Sequence, residues 1–163
     1  MEAVVAPARW ANLGPAAGLF QALRSEEGER MVLDGNFFVE TLLPQGVLRA
    51  LSEDEMAHYR TPFLEPNSRL PTLVWPREIP IEGEPVDVQT IVENYGRWLS
   101  QSTCPKLLIA AVPGVTVTGP ALEFCRTWRN QREVTVQGRH FLQEDSPDEV
   151  GIAIARFVSE VRE

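Results

Sequence analysis

The second half of the chain alternates between helical and strand-like hydrophobic patterns. Apolar side chains recur at three- and four-residue steps after Pro85 and again after Pro147, which predicts two amphipathic helices. Between these helices, a continuous apolar run covers residues 107–112 and a second strand-like segment covers residues 133–137. Continuous apolar runs are typical of parallel strands that are buried on both faces. The order helix, strand, helix, strand, helix predicts an α/β fold with right-handed crossovers.

The first half of the chain has a mostly helical pattern. Apolar side chains from Leu19 to Leu43 recur at helical spacing, and Ser52 followed by Glu55 predicts a helix that begins with a capping box. Six prolines between residues 61 and 85 exclude long helices and central strands, so we expect an ordered connection there, anchored by Trp75-Pro76. Residues 1–7 have the pattern of a short strand that is broken by proline.

The predicted strands are too few for a complete parallel sheet. Such a sheet needs cover on both faces and protection at both edges, and only two strong strands and the short segment at the start are present. We therefore expect the chain to be half of a larger fold.

The composition narrows the possible partners. A formal charge of −8 without clustered Lys or Arg argues against nucleic acid. The two cysteines, Cys104 and Cys125, do not have metal-ligand spacing, so we predict no metal site and free thiols in a cytoplasmic protein. The sequence contains neither an apolar run near 18 residues nor a signal-peptide pattern.

His140 is the first candidate for chemistry. It follows the segment 133–137, and a helix with its own start signal follows it, with Ser146 as N-cap, Pro147 at N1 and Glu149 at N3. Ligands of open α/β sheets gather at the carboxyl ends of the strands, which is where this loop lies. The sequence therefore leaves two interpretations of His140, a general base or a structural loop residue.

A catalytic histidine needs an acid that fixes its tautomer and a nucleophile or water to act on. In most α/β-hydrolases the acid follows the strand before the histidine strand, but residues 112–116 contain no carboxylate. Glu2 is the carboxylate that follows another strand-like segment. No G-x-S-x-G or G-x-D-x-G nucleophile elbow occurs in the sequence.

Several distinctive motifs run in order along the chain: Met1-Glu2-Ala3, Asn36-Phe37-Phe38-Val39-Glu40, Trp75-Pro76-Arg77, Phe124-Cys125-Arg126-Thr127-Trp128, and His140-Phe141 with residues 143–149. Together they resemble the carboxyl-terminal half of haloalkane dehalogenases, in the subfamily whose triad acid is a glutamate after the sixth strand. The sequence is also similar to the marine coelenterazine luciferases that are related to these dehalogenases, especially at Ser25–Glu29 and Asn36–Glu40.

The resemblance implies a fold, a reaction and a set of site residues. The fold is the last parallel strands and flanking helices of an α/β-hydrolase with a helical cap: residues 1–12 end strand six and enter the cap, 13–80 form the cap, and 81–163 form the core. Glu2 is the triad acid and His140 the base that hydrolyses an alkyl-enzyme ester. The positions that match pocket and tunnel linings are Val4, Phe20, Phe38, Gly46, Pro76, Ile79 and Thr116, and Gly46 and Thr116 replace larger apolar side chains of relatives.

The same resemblance implies what the chain needs from elsewhere. The nucleophilic aspartate and the halide-binding tryptophan and asparagine belong to the amino-terminal half of the family. We therefore expect a small halogenated hydrocarbon as substrate, a complementary amino-terminal half as partner, no cofactor, and no turnover by this polypeptide alone. The family does not indicate which halide or chain length is preferred.

Three alternatives remain open. The completed protein could oxidise coelenterazine on the same scaffold, or the chain could be an inactive fragment that only binds a partner. Epoxide hydrolysis needs cap tyrosines that hold the epoxide oxygen, and Tyr59 lies in a helix with an exposed pattern.

Overall fold

A computed structural model describes residues 1–162 of the 163-residue chain. The α-helices are α1 (Ala16–Leu23), α2 (Glu26–Glu29), α3 (Leu43–Gln45), α4 (Glu53–Arg60), α5 (Leu70–Arg77), α6 (Val86–Gln101), α7 (Gly119–Arg126), α8 (Leu142–Asp145) and α9 (Pro147–Arg162). The strands are β1 (Lys106–Pro113) and β2 (Gln131–Gly138). Short 3-10 helices cover Trp10–Asn12, Thr61–Phe63 and Pro66–Arg69, and π-helical turns cover Arg30–Asp34 and Phe38–Leu42.

The described residues form two compact units. The first unit combines Met1–Ala6, Gly46–Arg49 and the chain from Val92 onward, and the second combines Pro7–Gln45 with Ala50–Ile91. The predicted division into residues 1–12, 13–80 and 81–163 follows a resemblance, and its assignment to cap and core stays a prediction. No helix within residues 1–162 has the length and apolar character to cross a membrane.

The sheet of the first unit is parallel and two-stranded. Its register runs from Lys106 opposite Gln131 to Pro113 opposite Gly138, and α7 forms the crossover between β1 and β2. Ala111 and Val136 are buried together with Leu142, so α8 packs against the sheet near its carboxyl end. This packing fixes the loop between β2 and α8, in which His140 lies.

The strands differ from the expectation in two ways. β1 is fully buried only at Ala110 and Ala111, while Val112 is 46% exposed, so the apolar run is not covered on both faces in the described residues. The predicted strand over residues 1–7 is not formed, because the backbone there is not paired into the sheet. Glu2 instead donates its backbone N–H to the carbonyl of His140 at 2.9 Å.

Helices of the second unit pack around a small apolar cluster. Leu23, Val32 and Leu73 are 1–2% exposed and come from α1, the first π-helical turn and α5. The guanidinium of Arg24 donates to the backbone carbonyls of Arg77 and Ile79, which ties α1 to the end of α5.

Two local predictions in the second unit have opposite outcomes. Ser52 accepts from the backbone of Glu55 and the Glu55 carboxylate accepts from the backbone of Ser52, so the capping box of α4 is formed. The Trp75-Pro76 anchor is only half right, because Pro76 is buried within α5 whereas Trp75 is 63% exposed. The buried residue of this pair is therefore the proline and not the tryptophan.

Gly28 provides a test of the packing between α1 and α2. A Cβ atom at this position would lie 2.5–2.6 Å from backbone atoms of Ala22 and Leu23, which cannot move without distorting α1. We expect Gly28→Ala to lower the free energy of unfolding by about 2 kcal/mol or more, measured by urea denaturation.

Gly151→Ala is the matched control, because nothing lies within 4 Å of its added Cβ and the position is inside α9. Alanine is the better helix former, so this change should raise stability by about 0.5–1 kcal/mol. Equal effects of the two substitutions would contradict the close contact at Gly28.

Candidate active site

The candidate site lies in the first unit, at the edge of the sheet where the two strands end. The last pair of the ladder is Pro113 opposite Gly138. Gly114 follows directly, and its N–H donates to the Gly138 carbonyl oxygen at 3.0 Å. The loop after β1 and the loop after β2 therefore start side by side. The first loop holds Glu2, and the second carries His140.

Glu2 is held by the backbone of the loop that follows β1. Its carboxylate accepts from the N–H groups of Val115 at 3.0 Å, Thr116 at 2.7 Å and Val117 at 3.2 Å. Three successive N–H groups that converge on one anion form a backbone nest. The loop that contains no carboxylate of its own thus binds the carboxylate of a residue more than one hundred positions earlier.

Gly114 gives this loop its shape. Its φ of +66° lies in the left-handed region, which favours glycine. An added Cβ would also lie 2.9 Å from the Ala111 carbonyl oxygen and 3.0 Å from Glu2 Oε1. The Pro113-Gly114 pair, which ends β1 in the sequence, therefore also makes room for the carboxylate.

The hydrogen bonds around Glu2 determine its charge state. Burial would raise the pKa of this carboxyl, since only 7% of the residue is exposed, but hydrogen bonds from His140 and from the backbone of Thr116, Val115 and Val117 outweigh burial. The net effect lowers the pKa of Glu2 from 4.5 to about 2. Glu2 is therefore ionised at neutral pH.

His140 faces Glu2 with one ring nitrogen. Nδ1 lies 3.3 Å from Glu2 Oε2 and 3.1 Å from the hydroxyl oxygen of Thr116. The ring packs edge-on against Phe141 with centroids 4.8 Å apart, and 29% of the side chain is exposed. An imidazole that is oriented through Nδ1 leaves Nε2 available for proton transfer.

The loop that carries His140 is fixed by residues on both sides. Asp145 accepts from the backbone N–H groups of Arg139 at 2.9 Å and of Leu48 at 2.7 Å. α9 begins at Pro147, so Ser146 occupies the predicted N-cap position. Its hydroxyl donates to the Gln137 carbonyl at 2.7 Å and so links the helix start to β2.

The seven predicted lining residues divide between the two units. In the first unit, the Val4 carbonyl accepts from the Tyr95 hydroxyl, the Gly46 carbonyl accepts from the Phe141 N–H at 2.9 Å, and Thr116 contacts His140. In the second unit lie Phe20 in α1, Phe38 at the start of a π-helical turn, the buried Pro76 in α5, and the partly buried Ile79. Their contact with a substrate stays a prediction.

Curated relatives match nearly the whole chain, although no protein-family model matches it. A haloalkane dehalogenase of Sphingobium indicum is 56% identical over 164 residues, which is 99% of this chain, and one of Mycolicibacterium smegmatis is 51% identical over the same share. The chain is similar to these haloalkane dehalogenases over nearly all of its residues. It spans about half the length of these relatives, 55% and 53% respectively.

The structure of this chain matches part of solved haloalkane dehalogenases. The crystal structure of DbeA from Bradyrhizobium elkani superposes with a TM-score of 0.92 at 39% identity, covering 97% of this chain and 57% of that chain. AncHLD2 gives a TM-score of 0.91 at 41% identity over the same shares. This homologue therefore contains part of an α/β-hydrolase fold, as its sequence predicts.

Two features of the site were not anticipated from the sequence of this haloalkane dehalogenase homologue. The resemblance places Thr116 in a tunnel lining, whereas the structure brings its hydroxyl to the imidazole of His140. The backbone nest at Val115–Val117 has a weak sequence signal in the Pro113-Gly114 pair before it, because a glycine with positive φ turns the following N–H groups inward.

Proposed function

We propose that this chain supplies the acid and the base of a haloalkane dehalogenase active site. Glu2 is the triad acid and His140 is the base in the hydrolytic cleavage of a carbon–halogen bond. The observation that supports this role is the buried, ionised carboxylate 3.3 Å from His140 Nδ1, in a chain that is 56% identical to a haloalkane dehalogenase.

The proposed reaction has two steps. In the first, a carboxylate nucleophile attacks the carbon of the substrate, and the halide leaves with the electrons of the broken bond. In the second, His140 Nε2 takes a proton from water while the water oxygen attacks the ester carbonyl. The tetrahedral intermediate then breaks its bond to the alkyl oxygen, which leaves as the alcohol with the remaining proton of the water, and the carboxylate is regenerated. The imidazolium of His140 loses its proton to solvent, which restores the base.

Glu2 serves the second step by its charge and position. Its negative charge next to Nδ1 favours the tautomer with hydrogen on that nitrogen, so the lone pair of Nε2 is free to accept the proton. When His140 becomes an imidazolium, the same charge stabilises it. The backbone nest of Val115–Val117 holds the carboxylate without neutralising it, because these donors are uncharged.

The nucleophile is proposed to come from a polypeptide equivalent to the part of the relatives that this chain does not match. That part would carry the aspartate and the halide-binding tryptophan and asparagine. With it, the substrate would be a small halogenated hydrocarbon and the expected location the cytoplasm. The seven lining positions, Val4, Phe20, Phe38, Gly46, Pro76, Ile79 and Thr116, belong to the same proposal.

Exposed apolar side chains in the first unit support such a partner. Ile152, Ile154, Val158 and Val161 of α9 are 39–52% exposed, and Trp98 of α6 is 59% exposed. Ile154, Val158 and Val161 are four and three residues apart and so lie along one face of α9, and exposed apolar faces mark sites of protein association. Because the matched dehalogenases are nearly twice as long, their remaining core segments are the occupant that we propose.

Halide release tests the proposal. The purified 163-residue polypeptide should release no halide from short terminal chloro- or bromoalkanes. Co-expression with the unmatched part of the Sphingobium indicum relative should give a completed protein that releases halide. The unmatched part alone is the control and should be inactive, because it lacks Glu2 and His140.

Two results would overturn this proposal. Sustained halide release by the 163-residue polypeptide alone would contradict the need for a second part. A completed protein that emits light with coelenterazine and releases no halide would instead favour the luciferase-like alternative. Mass spectrometry of the purified chain for a co-purifying polypeptide separates a split enzyme from an inactive fragment.

A further inference from the structure

Thr116 contacts both members of the proposed acid–base pair. Its hydroxyl oxygen lies 3.1 Å from His140 Nδ1, which is closer than the 3.3 Å of Glu2 Oε2. Its own backbone N–H donates to the same Oε2 at 2.7 Å, the shortest contact that the carboxylate makes with this loop. One residue is thus bonded to the acid through its backbone and to the base through its side chain.

The ionised carboxylate decides which way the Thr116 contact runs. An Nδ1 lone pair directed at the negative charge of Glu2 would be repelled, so Nδ1 carries hydrogen and donates. The Thr116 oxygen must then accept from the same N–H, in a three-centre arrangement with Glu2. The hydroxyl hydrogen is left to point toward solvent, to which Thr116 is exposed.

The distances from His140 Nδ1 to its two acceptors indicate that the Thr116 hydroxyl contributes as well as Glu2. Charge-assisted N–H···O bonds are typically about 2.7–2.9 Å long, so the contact between His140 and Glu2 is longer than the usual optimum. The oxygens of Glu2 are also shared with the N–H groups of Val115, Thr116 and Val117. The Glu2 carboxylate is therefore held mainly by the backbone of the loop that follows β1, and the Thr116 hydroxyl makes the closer contact with the imidazole ring.

We propose that Thr116 is a positioning residue, whose hydroxyl holds His140 in the tautomer with hydrogen on Nδ1. The inference rests on the proposed function, in which His140 acts as base through Nε2. It gives Thr116 a role that a tunnel-lining position does not require. A purely lining side chain would affect substrate access and leave the ring nitrogens unchanged.

Nitrogen NMR of the 163-residue chain tests this role without any dehalogenase assay. His140 and His58 are the two histidines of the sequence, and His58 is exposed in α4, so His58→Gln leaves a single imidazole to observe. The ring ¹⁵N shifts, recorded on the alkaline plateau where they no longer change with pH, report the ratio of the two neutral tautomers.

Three variants separate the effect of the Thr116 hydroxyl from that of the rest of its side chain. Thr116→Val keeps the shape and removes the hydroxyl, and we expect the ratio of Nδ1–H to Nε2–H tautomer to fall roughly fivefold, the factor that one ordinary hydrogen bond contributes. Thr116→Ser keeps the hydroxyl and should stay within about twofold of the parent ratio. Thr116→Ala is a second hydroxyl-free variant in case valine disturbs folding, which circular dichroism will show.

The outcomes separate this inference from the proposed function. An unchanged tautomer ratio in both hydroxyl-free variants, or a parent chain with hydrogen mainly on Nε2, would overturn the role of Thr116. If the ratio responds as expected but the completed protein releases no halide, the proposed function fails while the positioning contact stands. In an active completed protein, Thr116→Val should lower kcat with little change in KM, and Thr116→Ser should restore kcat.

Discussion

Replacing His140 by alanine in the completed protein is expected to lower steady-state halide release by about a thousandfold or more. The loss falls on the second step, because displacement of halide by the nucleophile does not use the histidine. One equivalent of halide per site should therefore still be released, followed by an arrested alkyl-enzyme ester. Stopped-flow halide detection measures the burst, and intact-protein mass spectrometry detects the added alkyl group.

His58→Ala is the matched control for this experiment. His58 is exposed within α4, and the proposed reaction does not use it, so kcat should stay within about twofold of the parent. Full turnover by His140→Ala would exclude His140 as the base. Complete loss of the burst together with the turnover would show instead that the histidine is needed before the ester forms.

Acidification is expected to remove a stabilising contribution of Glu2 in a defined pH window. The pKa of Glu2 is about 2 in the folded chain, below its ordinary value of 4.5, so folding favours the ionised form. Above about pH 4.5 the contribution is fully present, and it disappears as the pH falls through 4.5 toward 2. The difference between the two pKa values corresponds to a contribution of Glu2 to the free energy of unfolding on the order of 3 kcal/mol.

Urea unfolding of the 163-residue chain between about pH 6 and pH 2 measures this contribution. Glu2→Gln should be less stable than the parent at neutral pH, and the gap between the two curves should narrow at low pH, because only the parent has a carboxylate to protonate. The amide also brings hydrogen-bond donors toward the N–H groups of Val115–Val117, which lowers its stability further.

The exposed Glu65 provides the control for the charge change itself. Glu65→Gln should shift the free energy of unfolding by no more than about 0.5 kcal/mol at any pH in the window. Parallel curves for the parent and Glu2→Gln, with a constant gap down to low pH, would contradict the lowered pKa.

Local signals predicted much of the secondary structure. The Ser52 and Glu55 pair begins α4 as expected, and the apolar run at 107–112 lies within β1. Both signals depend on neighbouring residues, which a sequence pattern contains. The predicted strand over residues 1–7 failed, because strand formation depends on a partner backbone, and the described residues do not provide one there.

Local sequence patterns could not predict the candidate site, because its residues are far apart in the sequence. Glu2 and His140 are separated by 138 positions, so no periodicity relates them, and the resemblance to haloalkane dehalogenases supplied the pairing. The contact of Thr116 with the imidazole depends on the turn at Gly114 and on the captured carboxylate. Such tertiary details leave no local pattern.

The four residues Gly46–Arg49 belong to the first unit, although the sequence on both sides belongs to the second. They bond to the loop that carries His140: the Gly46 carbonyl accepts from Phe141, and Arg49 forms an ion pair with Glu144. The helical unit is thus not a single uninterrupted insertion. A chimera that exchanges the helical unit between related proteins therefore has to take residues 46–49 from the same parent as residues 139–145, or the loop that carries His140 will lose these contacts.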